Sequence, residues 1–399
     1  MKLNKGEKIM SLKKNIITLL PDKWQDQLLA RVIASNNWRK VPTFNMLFES
    51  YSIMGADRDD MVKAFSNSTD LNKDFYINCR VIAKNREKNA EKMTGNLNEA
   101  RKEYFKALIL YFLADWVSFE ENQICENYQD LLAVTNKIDN LAAHKTEKIF
   151  FSWKKGKIAA RFRYPDSDGS TFDSMRNKKY PVIIIVQGND TVKECFIMLE
   201  DMLLNNGFAV LNVDQSGWGE SRLTGNRFES LNDAKVLANM MLDFLKSNPH
   251  IDETKKSLFG FSGGGTWSAM TAGTDQRFDH MVLVGGGIYD LVKMLHWLPA
   301  IQKRQVMKHW GCKKSEIRGI SRSELDFNNK ILPNITAKCL LVHGEKDTLA
   351  PVEGIYKAKE LIKGPVELKI IPGGNHMCSD TLMDQEMPFI MKWLHEKFR

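Results

Sequence analysis

Cysteine is scarce in this sequence, and the cysteines are scattered. The 399 residues contain six. No two of them form a Cys-x-x-Cys pair or another spacing typical of zinc ligands, and the scatter does not resemble a disulfide framework. We therefore expect reduced, mostly buried thiols, no metal site and no cofactor. The six are Cys79, Cys125, Cys195, Cys312, Cys339 and Cys378.

Long apolar runs are also missing. No stretch approaches the ~20 apolar residues that a membrane-spanning helix needs. Near the N-terminus the only apolar run is Ile16 to Leu20, which ends at Pro21 and is too short for the core of a signal peptide. The sequence thus predicts a cytoplasmic protein without a membrane partner.

An excess of one charge is present but small. The 57 basic and 49 acidic residues give a net charge of +8, and both signs are interleaved along most of the chain. No basic stripe with interleaved aromatic residues occurs, so we expect no nucleic-acid partner. With 43% hydrophobic residues, the chain can bury one large core and a smaller one, which favours one to three domains.

The first 146 residues contain few glycines and no convincing strand pattern. Their apolar residues recur at helical spacing instead, and helices are predicted to begin at Pro21, Asp59, Asp70, Asn96 and about Phe119. A spacing that faintly resembles a tetratricopeptide unit has no second copy, which argues against a solenoid. We predict a helical N-terminal cap domain over residues 1–146.

From Lys148 onward, strands and helices alternate. A hairpin around Gly156 is followed by runs rich in Ile and Val, as in strands buried on both faces of a parallel sheet. This alternation predicts an α/β domain over residues 147–399, with a mostly parallel sheet and helices on both faces. Predicted strands cover 148–153, 157–164, 181–186, 208–213, 256–259, 280–284, 337–342 and 366–371; predicted helices cover 192–204, 228–245, 266–272, 352–362 and 383–398.

One connection in this half is unusually long. Residues 285–333 exceed an ordinary link between a strand and the next element, and they carry aromatic and basic residues at helical spacing. We predict a helical insertion at about residues 287–334 that covers the active face of the sheet.

The turn after Phe259 reads Gly260, Phe261, Ser262, Gly263, Gly264. A serine between strand and helix, with glycine two positions before and after, is the nucleophile-elbow pattern. The serine there adopts a strained backbone conformation, so its neighbours must lack bulk. Ser262 is the predicted nucleophile, although a purely structural glycine-rich turn has the same pattern.

A serine nucleophile needs a base, and the base needs a carboxylate that orients it. His376 lies in the loop after the last predicted strand, and Asp347 lies in the loop after the strand that ends at Val342. Both positions are at the carboxyl ends of parallel strands, where ligands bind, and the order Ser262, Asp347, His376 is that of this hydrolase architecture. Asp290 is the alternative acid; its structural interpretation is a helix cap.

Two backbone N–H groups are needed for the oxyanion of a tetrahedral intermediate. The amide of Gly263 is one candidate, because it lies at the start of the following helix. The second is expected from residues 187–190 after the first parallel strand. We favour the amide of Asn189, with Gly188 as the alternative.

A second glycine turn covers residues 214–221. We interpret it as a structural turn that braces residues 187–190. Glu220 within it is nevertheless a candidate accessory acid near the active face. Trp218 and Trp267 are candidate pocket residues, although core packing is the commoner role of such side chains.

With these residues in place, residues 148–399 resemble the α/β-hydrolase superfamily. With its helical N-terminal part, the whole chain is similar to the group that includes 2,6-dihydroxypseudooxynicotine hydrolase and the fermentation-respiration switch protein. The resemblance implies a helical domain that caps the sheet, a homodimer, and either ester or thioester hydrolysis or cleavage of a carbon–carbon bond next to a ketone. Carbon–carbon cleavage requires a further acid, for which Asp290 and Glu220 are candidates. Gln187 and Asn189 replace the more usual His-Gly opening.

The predicted function is therefore a serine-nucleophile hydrolase that acts on a small-molecule carbonyl substrate through an acyl-enzyme. It requires neither a metal nor an organic cofactor. Acyl transfer or cyclisation by the same triad is one alternative. A regulatory binding protein that keeps the hydrolase fold without catalysis is another.

Overall fold

A computed structural model describes most of the chain. The predicted helix from Pro21 and the predicted helix starts at Asp70 and Phe119 fall largely or wholly outside the described residues. Within the described part, no helix is long and apolar enough to cross a membrane, and no group of His, Cys, Asp and Glu is placed to hold a metal ion. The described residues are 20–21, 23–25, 27–28, 31, 49–66, 68, 71–118, 121–154, 156–165, 178–291, 294–295, 298–312 and 327–399.

The N-terminal part consists of helices wherever it is described. Helix α3 is the central one, because its residues from Ala107 to Val117 are buried on all sides, as expected for a helix that is apolar around its whole circumference. The side chain of Asn96 caps this helix by accepting a hydrogen bond from the backbone N–H of Glu99 at 3.2 Å. The helices are α1 (Arg58–Ser66), α2 (Tyr76–Lys92), α3 (Leu97–Val117) and α4 (Glu121–Asn140), and a π-helical turn, Leu71–Phe75, precedes α2.

The following part contains one eight-stranded sheet in the order β1-β2-β4-β3-β5-β6-β7-β8. Strands β3 to β8 pair in parallel, whereas β1 and β2 form an antiparallel hairpin at the edge. The predicted mostly parallel sheet is confirmed. The strands are β1 (Glu147–Trp153), β2 (Gly156–Arg163), β3 (Tyr180–Val186), β4 (Ala209–Val213), β5 (Ile251–Phe261), β6 (His280–Val284), β7 (Lys338–Gly344) and β8 (Val366–Ile371).

Helices cover both faces of this sheet. Alternate side chains of β3 separate the two layers, since Ile183 and Ile185 belong to the core that includes α3 and Ile184 belongs to the opposite core. The helices of this part are α5 (Ile197–Asn205), α6 (Gly219–Leu223), α7 (Leu231–Ser247), α8 (Gly263–Thr274), α9 (Ala300–Trp310), α10 (Val352–Leu361) and α11 (Met387–Lys397).

Some boundaries differ from the sequence prediction. Strand β5 begins at Ile251 rather than near Lys256, because Ile251 pairs with Tyr180. The register shifts after this pair, and the polar residues between Ile251 and Lys256 therefore belong to the strand. The same strand continues through Phe261 instead of ending at Phe259. The insertion contributes α9 and short helical turns at Phe327–Asn334. The domain limits at residues 146/147 and 287–334 stay predictions.

Buried ion pairs fasten the N-terminal helices to the sheet. Arg161 on β2 contacts Asp139 of α4 at 2.8 Å and Glu200 of α5 at 3.0 Å. Arg101 of α3 contacts Asp201 of α5 at 2.6 Å. Since Arg161 and Glu200 are almost completely buried, these contacts hold α3 and α4 in a defined position over the sheet edge.

Candidate active site

Ser262 lies in the sharp turn between β5 and α8. Its backbone has φ 51° and ψ −120°, a conformation that costs energy for a residue with a side chain. Strand and helix approach so closely that a Cβ atom on Gly260 would lie 2.4 Å from the carbonyl oxygen of Gly264. The surrounding glycines are therefore required sterically, and the turn has the backbone geometry that a nucleophile elbow needs.

The structure brings Ser262, His376 and Asp347 together. The Nε2 atom of His376 lies 2.7 Å from Ser262 Oγ, and its Nδ1 atom lies 2.7 Å from Asp347 Oδ2. The other carboxylate oxygen of Asp347 accepts the backbone N–H groups of Leu349 and Ala350, both at 2.9 Å. These bonds fix the carboxylate, which in turn orients the imidazole.

The charges within this triad favour a basic imidazole. Burial disfavours the imidazolium form, but the carboxylate of Asp347 outweighs burial and raises the pKa of His376 above its ordinary value. Burial likewise opposes the charge on Asp347, yet His376 and the hydrogen bonds it receives lower the pKa of Asp347 below its ordinary value. Asp347 thus stays ionised beside a basic imidazole.

Asp290, the alternative acid, lies elsewhere. Its backbone N–H donates to Asn328 Oδ1 at 3.2 Å, and its carbonyl accepts the N–H of Met294 at 3.0 Å. It forms no contact with His376 and does not line the cavity at Ser262. The structure therefore supports the interpretation of Asp290 as a residue at the start of a helical segment.

The candidate oxyanion donors face each other across the elbow. A Cβ atom on Gly263 would lie 2.8 Å from the backbone nitrogen of Asn189, so the two N–H groups are close neighbours. Neither has an acceptor among the described residues. Gly188 is also next to Ser262, and its carbonyl accepts the hydroxyl of Thr191 at 3.3 Å.

A buried histidine of α9 supports this loop. His309 places Nε2 3.0 Å from the carbonyl oxygen of Asn189 and Nδ1 3.1 Å from that of Gly217, and its ring stacks on Trp218 at 3.9 Å. Burial lowers the pKa of His309 well below its ordinary value, and the two carbonyl oxygens oppose that shift. His309 thereby links residues 187–190 to the glycine turn at 214–221.

A cluster of buried charges supports the same loop from the other side. Lys193 contacts Asp214 at 2.8 Å, Glu194 at 2.7 Å and Glu220 at 3.0 Å. Glu220 is thus held by Lys193 and does not line the cavity at Ser262, so the structure places this candidate acid in a bracing position. These contacts agree with the interpretation of residues 214–221 as a structural turn.

A cavity opens in front of Ser262. We call it the apolar cavity, because Trp and aliphatic side chains form most of its wall. Both predicted pocket residues, Trp218 and Trp267, line it, and their rings meet edge to face at 5.3 Å. Its apolar lining includes Trp218, Trp267, Met270, Leu295, Leu298 and Trp310.

Asp190 is an acid of this site that sequence reasoning missed. It lines the cavity with Ser262 and His376, and its Oδ2 atom accepts Gln302 Nε2 at 3.2 Å. Burial raises its pKa to about 6, against the lowering effects of Trp116, His376 and Gln302. The sequence carries one usable signal: Gln302, Gln305 and His309 recur at helical spacing, which puts a polar stripe on one face of α9.

A model of the prolyl oligopeptidase family matches residues 200–399, half of the chain. Esterase FrsA of Vibrio parahaemolyticus serotype O3:K6 (strain RIMD 2210633) is 22% identical over 242 residues. The match covers 58% of this chain and 54% of that protein, so the chain spans about half the length of this curated relative.

Two solved structures share the architecture over most of the chain. A 2,6-dihydroxy-pseudo-oxynicotine hydrolase has a TM-score of 0.73 at 18% identity, covering 88% of this chain and 95% of its own. AbyA5 has a TM-score of 0.62 at 14% identity, covering 79% and 88%. At these identities the likeness shows the fold, an α/β-hydrolase sheet with a helical N-terminal part.

Proposed function

This chain belongs to the prolyl oligopeptidase family, and we propose that it is a serine hydrolase whose catalytic triad is Ser262, His376 and Asp347. The observation that carries the proposal is the continuous chain of two 2.7 Å contacts from the Ser262 hydroxyl through the imidazole to a buried carboxylate. Nucleophile, base and orienting acid have this mutual geometry in serine hydrolases on unrelated folds.

The reaction proceeds through an acyl-enzyme. Ser262 Oγ attacks the substrate carbonyl while its proton passes to His376 Nε2, and Asp347 stabilises the imidazolium that forms. The N–H groups of Gly263 and Asn189 stabilise the oxyanion. The leaving group takes the proton from His376, and a water activated by the same imidazole then releases the acid and restores Ser262.

The substrate we propose is a small ester or thioester. Tryptophan and aliphatic side chains line the apolar cavity, and they fit an aromatic or aliphatic group. The homodimer and the cytoplasmic location stay predictions.

Asp190 favours a second reaction type, cleavage of a carbon–carbon bond beside a ketone. Ser262 would add to the ketone and pass its proton to His376; the bond then breaks, and its electron pair leaves as a carbanion that takes the proton of the neutral Asp190 carboxyl. The imidazolium returns its proton to Asp190, and neutral His376 activates water on the acyl-enzyme. A carboxyl whose burial raises its pKa to about 6 retains a protonated fraction near neutral pH.

A fluorophosphonate probe tests the triad. We expect the probe to label the wild-type protein, Ser262→Ala to remain unlabelled, and hydrolysis of 4-nitrophenyl esters to fall at least about 1,000-fold in that variant. Ser247→Ala is the matched control, because this serine lies at the exposed end of α7. Labelling that survives in Ser262→Ala, or a wild-type protein that neither reacts with the probe nor hydrolyses esters, would contradict the proposal and favour a non-catalytic binding protein.

A further inference from the structure

Three side chains that line a cavity with Ser262, and Trp116 beside them, each leave one buried polar atom without a partner at ordinary hydrogen-bonding distance among the described residues. The atoms are the hydroxyl of Tyr51, Nε1 of Trp116, Oδ1 of Asp190 and Oε1 of Gln302. Tyr51, Trp116 and Gln302 are at most 5% exposed. Because proteins pair nearly all buried polar groups, such a concentration of unpaired atoms requires an explanation.

These side chains come from four separate parts of the chain. Tyr51 lies in the helical segment at residues 49–53, Trp116 on α3, Asp190 in the loop after β3, and Gln302 on α9. Local chain geometry therefore does not account for the unpaired atoms. Only the closed arrangement of the N-terminal helices, the sheet and the insertion brings them together.

Three of them line a second, smaller cavity. Tyr51, Asp190 and Gln302 surround it together with Ser262 and His376, and the Trp116 ring packs against Tyr51 at 6.2 Å. We call this space the polar cavity after these unpaired atoms, although its wall also contains apolar side chains such as Met54 and Phe196. Ser262, His376, Asp190 and Gln302 line the apolar cavity as well, so the two cavities meet at Ser262.

The hydrogen-bonding capacity of the unpaired atoms indicates which chemical group fits the polar cavity. Trp116 N–H only donates, the oxygen of Gln302 only accepts, and the Tyr51 hydroxyl does either. A hydroxyl group both donates and accepts, so it satisfies this mixture. Among the described residues, no lysine or arginine lines the polar cavity, so a carboxylate or phosphate would lack a permanently charged partner there.

We propose that the polar cavity binds a hydroxyl group of the substrate while the apolar cavity binds its aromatic or aliphatic part. The substrate is thus a carbonyl compound with an apolar group on one side of the attacked carbon and an alcohol or phenol on the other. This inference rests on the proposed function, because the two cavities meet at Ser262.

Three esters of 3-phenylpropanoic acid test the inference: those of 1-propanol, ethylene glycol and 2-aminoethanol. Their alcohol parts end in a methyl, a hydroxyl and an ammonium group of similar size. Binding to Ser262→Ala is measured by calorimetry, so that no turnover is needed. We expect the 2-hydroxyethyl ester to bind at least about 10-fold more tightly than the propyl ester, as for a hydrogen bond made in a buried site.

Adding Tyr51→Phe or Gln302→Leu to Ser262→Ala should reduce this preference below about threefold. Adding Tyr104→Phe should leave it unchanged, since Tyr104 lies on α3 away from both cavities. Tyr51→Phe alone should keep or raise the melting temperature, because it removes a buried hydroxyl that has no partner. A purely structural role of Tyr51 would lower it.

The possible outcomes distinguish a failure of this inference from a failure of the proposed function on which it rests. Absence of fluorophosphonate labelling at Ser262 overturns both. Intact labelling with equal affinity for the propyl and 2-hydroxyethyl esters, or with no binding of either, overturns the inference alone and leaves water as the partner of the four atoms. Tightest binding of the 2-aminoethyl ester overturns it in favour of a cation site at Asp190.

Discussion

Asp190 connects the two reaction types proposed for this site. In Asp190→Asn the amide keeps the size of the side chain but has no acidic proton to give. We expect kcat for a 1,3-diketone to fall at least about 100-fold more than kcat for a simple propyl ester. The acid limb of ester hydrolysis should also move to lower pH, because the charge of Asp190 helps to raise the pKa of His376.

Steady-state rates with both substrates between about pH 5 and 9 check this expectation. Equal losses for the diketone and the ester would show that Asp190 positions the substrate without acting as an acid. Asp252→Asn provides the matched control, because Asp252 lies on β5 far from the elbow, where its carboxylate accepts hydrogen bonds from Thr254 and lies 4.0 Å from Lys255 Nζ.

The three triad residues can be predicted from the sequence, whereas the role of Asp190 cannot. Ser262, Asp347 and His376 are detectable because each lies in the turn or loop that follows a strand, and parallel strands have their carboxyl ends at one edge of the sheet. The special surroundings of Asp190 depend on Trp116 and Gln302, which approach it from distant parts of the chain. No local pattern encodes such a convergence, so the sequence alone gives Asp190 no role beyond its place in the loop.

Helix α9 contacts the C-terminal end of α3 beside the active site. Lys308 contacts the Asp115 carboxylate at 2.9 Å, and Gln305 donates to the carbonyl of Trp116. Lys308→Met leaves the Asp115 carboxylate buried without its partner, which should lower the free energy of unfolding by about 3 kcal/mol. KM for the 2-hydroxyethyl ester should rise, since α3 and α9 carry Trp116 and Gln302.

Urea unfolding and steady-state kinetics measure both effects. Lys359→Met on α10 is the control, because this exposed lysine has no ion pair among the described residues. Restoration of stability by Asp115→Asn in the Lys308→Met background would support the explanation by an unpaired charge. A Lys308→Met protein as stable as the wild type would show that the ion pair contributes nothing to closing the site.

Elements follow from sequence where their signals are local. Strands β6 and β8 have the predicted bounds, because each is a short run closed by turn residues. The start of β5 is different, since polar residues join that strand only because Ile251 pairs with Tyr180. Likewise, helical spacing predicts a cap in the insertion, but it does not indicate that α9 binds the end of α3.

The molecule as a whole depends on the buried ion network around Glu200. Burial opposes its charge, but Arg161 and Arg163 outweigh burial and lower the pKa of Glu200 from 4.5 to about 2. Because the folded pKa is below the unfolded one, this stabilisation is complete above about pH 4.5 and is lost as the pH falls toward 2. It amounts to about 3 kcal/mol at neutral pH.

We expect Glu200→Gln to unfold at lower denaturant concentration than the wild type at about pH 6, with a difference of about 3 kcal/mol that shrinks as the pH falls below about 4.5. Guanidinium unfolding at a series of pH values measures this difference. Glu360→Gln on the exposed face of α10 should show no comparable change. A difference that stays constant with pH would mean that the lost stability comes from packing rather than from charge.

The elbow is formed by closely packed backbones, whereas the two cavities are lined by side chains. Around Ser262 the backbones of β3, β5 and α8 touch, and glycine is the only residue that fits at Gly260 and Gly264. The cavity walls consist instead of side chains from separate helices. Substitutions in the cavity walls alter the shape and polarity of the cavities without disturbing the elbow. New substrate preferences can therefore arise, in evolution or in the laboratory, through changes in α9 and its neighbours while the reaction at Ser262 stays the same.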